Sequence, residues 1–178
     1  MRENTVAISD DIIKAYEAKV PPYLIDLWKS KGLGRYSNGL IELINPKDFE
    51  PTLWTWLGRE VENYVPFAIS SFGELFYYRK LTEEDEDVCM IDIQYRQVEV
   101  VEWSLESFFE DFLTDKENRE EWLRETLLNK AIAQHGHLAK NEVFTVTPIL
   151  TLGGEMKLEY LKKGNAQVYL DIVFQLTM

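Results

Sequence analysis

The spacing of apolar positions changes along the chain, and each change marks a different kind of element. Ser9 is placed to cap a first helix in which Ile12, Tyr16 and Val20 recur at i, i+4 and i+8. Asp10 and Asp11 stand where the helix dipole favours negative charge. Pro21-Pro22 ends this helix, and Pro22 opens a second through Tyr23, Leu24, Leu27 and Trp28, with Lys29 and Lys31 near its end and Gly32 as its stop. Gly34 and Asn38-Gly39 read as turns into an extended run, Leu40-Ile41-Glu42-Leu43-Ile44, which Asn45-Pro46 closes.

A short helical pattern around Trp54, Trp56 and Leu57 gives way, from Val65 to Val101, to runs rich in aromatic and β-branched residues. Phe67-Ala68-Ile69 and Leu75-Phe76-Tyr77-Tyr78 flank Ser71-Phe72-Gly73, whose glycine permits a tight turn. Val88 to Ile93 and Val98 to Val101 form a further pair around Gln94 to Gln97, so four or five antiparallel strands are predicted. The acidic run Glu83-Glu84-Asp85-Glu86-Asp87 then falls in a loop between two of them.

From Ser104 the spacing becomes helical again. Leu105, Phe108, Phe109, Phe112 and Leu113 make one stripe, with Glu106, Glu110 and Asp111 off it. Thr114 and Glu117 have capping-box spacing for a helix carrying Trp122, Leu123, Leu127 and Ala131, which Gly136 ends. Short extended pieces from Val143 to Leu152 lead to Gly153-Gly154, and a last amphipathic helix takes Val168, Tyr169, Ile172, Val173 and Leu176. The pattern predicts an α+β fold: an antiparallel sheet of about four to five strands over residues 38–101, flanked by N-terminal and C-terminal helices. Residues 1–101 form the α+β region and 102–178 a mainly helical region packed on it as one compact unit.

A hydrophobic content of 46% over 178 residues supports a sizeable core. The first residues, MRENTVAISDD, lack the apolar run of a signal peptide, and no apolar stretch is long enough to span a bilayer, so a cytoplasmic protein is expected. A single cysteine, Cys89, excludes an intramolecular disulfide and suits a reducing compartment. The net charge of −12 is unevenly placed: residues 83–125 hold sixteen Asp/Glu against four Lys/Arg, and the rest of the chain holds fifteen of each. Such a field repels nucleic acid and anionic membrane and steers basic partners inward.

Candidate chemistry is sparse. His135 and His137 flank Gly136 and form a zinc-compatible pair only if a third ligand converges on them. Cys89, alternating with apolar neighbours, reads as a buried structural thiol rather than a nucleophile. The acidic run lacks the glycine and distal glutamate of a calcium-binding loop, and Gly153-Gly154 lacks the lysine and hydroxyl residue of a phosphate loop. Trp54 and Trp56, two apart on a helix, point in different directions, which offers one of them as an interface anchor. No catalytic, metal or cofactor site is assigned. A small-ligand or metal-binding sensor built on His135, His137 and the Gly153-Gly154 loop is the alternative reading.

Several stretches together carry a resemblance. Val20-Pro21, Leu24, Trp28, Gly32-Leu33-Gly34, Gly39-Leu40, Asn45-Pro46 and Ser70-Ser71-Phe72-Gly73-Glu74-Leu75 resemble the GAD-related domain. Ala133, His135-Gly136, Leu138, Asn141-Glu142-Val143-Phe144, Pro148, Leu150, Leu152-Gly153-Gly154-Glu155, Leu158 and Leu161 are similar to the domain that follows it in the same proteins. The resemblance implies an immunity protein that neutralises a cognate type VI secretion effector, typically a DNase, and it brings no catalytic residue. The partner expected is a toxin with a basic surface, not nucleic acid or membrane. The residues expected to meet it are Glu83, Glu84, Asp85, Glu86, Asp87, Glu106, Glu110, Asp111, Trp54 and Trp56.

Overall fold

A computed structural model describes residues 5–178. Its main sheet has seven antiparallel strands, β1 (Thr5–Val6), β2 (Leu33–Tyr36), β3 (Ile41–Leu43), β4 (Tyr64–Ser70), β5 (Leu75–Lys80), β6 (Glu86–Asp92) and β7 (Gln97–Glu102). They lie side by side in chain order, so every strand pairs with its neighbours in sequence. Seven strands replace the four or five expected, because β1 and β2 extend the sheet on the N-terminal side of residue 38. Gly34 gave β2 the look of a turn, but it pairs across the sheet with Leu43, and Arg35 beside it with Glu42.

Helices α1 (Asp10–Tyr16) and α2 (Pro22–Lys31) fill the long β1–β2 connection. The Ser9 side chain accepts from Ile12 N, and Pro22 occupies the first turn of α2. Gly32 ends α2 at φ 82°, and a Cβ there would stand 2.4 Å from the Val6 carbonyl oxygen, so glycine lets β1 close on the helix end. Asn45-Pro46 does more than close a strand. Asn45 caps and Pro46 opens α3 (Pro46–Leu57), which carries both Trp54 and Trp56.

Beyond β7, Ser104 caps α4 (Leu105–Ser107), which widens into a π-helical turn over Phe108–Phe112. Asp115, rather than Thr114, caps α5 (Lys116–Glu121), and a left-handed Arg124 breaks the predicted single helix before α6 (Glu125–His135). A hairpin of β8 (Glu142–Val146) and β9 (Leu161–Asn165) follows, then α7 (Ala166–Leu176). The lysines and glycine of β9 hid it from the hydrophobic pattern.

Alternation along the strands sends side chains into two buried clusters, one on each face of the sheet. The larger takes Phe67, Phe76, Val88 and Met90 with Trp28 of α2, Phe108 and Phe112, Leu128 of α6 and Phe144 of β8. Phe108 stands at its centre, 5.0 Å from the Phe76 ring and 5.2 Å from that of Phe67. The second takes Tyr77, Cys89 and Ile91 under Phe49 and Leu53 of α3 and Tyr169, Leu170 and Val173 of α7. The result is three layers, with helices on both faces of an antiparallel sheet.

Candidate partner-binding surface

The β5–β6 hairpin presents the acidic run. Thr82 Oγ1 accepts from Asp85 N at 2.9 Å and from Glu84 N at 3.2 Å, and Leu81 N donates to Asp85 O, which folds the loop on its own backbone and turns Glu83, Glu84 and Asp85 outward. All three are exposed. Glu86 and Asp87 do not belong to the loop, contrary to expectation. They begin β6, where Tyr78 Oη donates to Glu86 at 2.6 Å. The buried Asp87 accepts two bonds from the Arg79 guanidinium, at 2.8 and 2.6 Å. The register supplies the reason: residues 79 and 87 face each other across the hairpin.

The remaining predicted acidic residues lie after β7. Glu106, Glu110 and Asp111 are exposed on α4 and the turn that continues it, and Glu110 receives a long hydrogen bond from Tyr23 Oη at 3.5 Å. Val88 faces Glu102, so the acidic loop and the start of α4 share one end of the sheet. Trp54 and Trp56 sit elsewhere, on α3 over the opposite face. Both are half-buried, Trp56 packs edge-on against Phe174 at 5.2 Å, and the Arg96 guanidinium lies 5.9 Å from its ring.

His135 and His137 stand at the end of α6. The His135 ring is half-buried 6.1 Å from that of Phe144, and the His137 carbonyl accepts from Lys163 Nζ. Among the described residues no three His, Cys, Asp or Glu side chains are grouped to hold a metal ion. Gly153 is a left-handed turn residue with open space around it, whereas a Cβ on Gly154 would fall 1.6 Å from the Pro148 carbonyl oxygen. Cys89 is buried and its thiol is pushed up to about 11, by burial first and then by the Asp87 charge.

Buried charge gathers instead where the motif residues of the two regions meet, a seam that the spacing of apolar positions does not mark. Glu74, 1% exposed, accepts from Ser70 Oγ and pairs with Arg124, whose guanidinium also lies over the Phe72 ring. Arg35 pairs with the buried Glu42 at 3.3 Å and donates to Ser71 Oγ and to the Glu142 carbonyl. Glu42 in turn accepts from Asn141 N, and Phe144 N donates to Ser71 O. Burial raises the Glu42 carboxyl and lowers the Arg35 guanidinium from their ordinary values, while each partner's charge opposes that shift. Motif residues such as Ser71-Phe72-Gly73-Glu74 and Asn141-Glu142-Val143-Phe144 therefore bind β3, β4 and β5 to the β8 hairpin and α6, rather than facing solvent.

Comparison with known proteins agrees with this architecture. The fold matches the crystal structure of Atu4351 from Agrobacterium tumefaciens with a TM-score of 0.75, over 98% of this chain and 84% of that one, at 18% sequence identity. No curated protein matches the chain in sequence. Residues 1–91 match the GAD-like domain and residues 103–177 match the C-terminal domain of T6SS immunity protein Tdi1, so the chain belongs to the GAD-like domain family and carries behind that domain the C-terminal domain of a type VI secretion immunity protein.

Proposed function

We propose that this chain binds and neutralises a cognate type VI effector, a DNase toxin, through an acidic surface made by Glu83, Glu84 and Asp85 together with Glu106, Glu110 and Asp111. The observation that carries the proposal is the match of residues 103–177 to an immunity protein. The exposed loop at the end of the β5–β6 hairpin supports the electrostatic part. A nuclease must present a basic surface to phosphates, and clustered carboxylates on an inhibitor compete for that surface and speed encounter. On this reading the protein acts in the producing cell's cytoplasm, catalyses nothing, and takes neither nucleic acid nor membrane as a partner.

The test is a pull-down from native cytoplasm with this protein as bait and the toxin system expressed. Recovery of one basic, toxin-bearing protein, weakened by high-salt washing, is the expected result. Failure to recover such a protein overturns the proposal. Replacing Glu83, Glu84 and Asp85 by lysine is expected to slow association by about tenfold or more. Unchanged association and protection would remove the acidic loop from the interface.

A further inference from the structure

We infer that the effector docks by adding an extended segment to the free edge of β7, so that the main sheet continues into the partner. This rests on the proposed immunity function and specifies its recognition mode. The two edges of the sheet differ. Among the described residues β1 at one end spans only Thr5–Val6, whereas β7 at the other spans six, Gln97-Val98-Glu99-Val100-Val101-Glu102, and pairs only with β6. Proteins ordinarily blunt such an edge with lysine, proline, charges, bulges or a covering segment; β7 contains no lysine or proline, its register shift lies at Val101 near its end, and Gln97–Val100 pair with β6 in regular register.

Its side chains are also those of an unfinished interface. Val98 and Val100 face Ile91 and Cys89 across the ladder and so stand on the face that α3 and α7 cover elsewhere, yet they remain 51% and 42% exposed. Trp103, just past the strand, is 71% exposed. On the other face Glu99 and Glu102 oppose Met90 and Val88, and the acidic loop 83–85 lies at the same end of the sheet as Glu102. An added strand would set alternate residues against these two rows. The fitting occupant is an extended stretch of a basic protein with apolar side chains on one side and Lys or Arg on the other, held by main-chain hydrogen bonds.

Hydrogen exchange on the purified complex with the effector recovered in the pull-down, its toxin activity inactivated, tests the inference. The amides of Gln97–Glu102 are expected to slow by about tenfold or more on binding. Val98→Lys with Val100→Lys is expected to weaken the complex by about tenfold or more, whereas Val168→Lys with Ile172→Lys, on the exposed face of α7, leaves it unchanged. A stable complex with unprotected β7 amides overturns this docking mode and leaves immunity standing. Protection that rises with protein concentration in the absence of effector assigns the edge to a second copy of the chain and also overturns it. Absence of any complex overturns the functional proposal, and this inference with it.

Discussion

Arg124 holds a left-handed backbone conformation (φ 54°) between α5 and α6, and that break delivers its guanidinium to the buried Glu74 carboxylate. Removing one partner of a buried ion pair strands the other, so Arg124→Met should destabilise the fold by about 3–5 kcal/mol in urea titration. Asp92 behaves in the opposite sense. Burial, and then repulsion from Glu74, raises its carboxyl above the ordinary 3.8, while its Oδ1 accepts from the amides of Gln94 and Tyr95. A folded pKa above the unfolded one makes the ionised form a burden at neutral pH that is relieved as pH falls through the raised value. Asn keeps the acceptor and drops the charge, so Asp92→Asn should raise the melting temperature by about 2 °C at pH 7 and lose that advantage below pH 3.8. Gly153 and Gly154 differ in kind: Gly154→Ala meets the Pro148 carbonyl and should destabilise by about 2 kcal/mol or more, whereas Gly153→Asn meets no neighbour and should cost only the backbone strain of φ 95°, about 1 kcal/mol, in thermal melts.

At the level of elements, strands β3 to β7 were legible because their aromatic and β-branched runs are bounded by turn residues, and α2 because Pro22 and Gly32 mark both ends. Elements whose logic is supplied from a distance were not. β2 makes sense only with Glu42 opposite Arg35, and β9 has no apolar run, since its backbone is held by pairing with β8 while its lysines face solvent. The acidic run concealed the start of β6, and the signal that would have found it is the placement of Arg79 and Asp87 symmetrically about Glu83. The same hairpin divides five adjacent carboxylates into those available to a partner and those spent on the fold. Asp87→Lys should therefore lower stability, seen as an earlier unfolding transition, whereas Glu84→Lys should leave the melting temperature within about 1 °C. The acidic candidates were legible as residues. Their sorting required the register.

For the whole molecule, a net charge of −12 acts on folding and on recognition with opposite signs. Raising ionic strength from about 10 mM to 150 mM should raise the melting temperature by screening self-repulsion, and should slow association with a basic partner. Scanning calorimetry and stopped-flow measurements on the same samples check both. The strictly sequential order of β1 to β7 also carries a consequence for how the chain is made. Each strand meets a partner already synthesised, so the sheet can assemble as it emerges from the ribosome, but the cover over Tyr77, Cys89 and Ile91 includes α7, which begins at Ala166, long after β7 ends at Glu102. During that interval the nascent protein holds a formed sheet with one greasy face only partly roofed, and a chaperone or an early encounter with the toxin would meet a different surface from that of the finished molecule. Ribosome-bound chains stalled before Ala166 should accordingly show a Cys89 thiol open to alkylation, and released full-length chains should not.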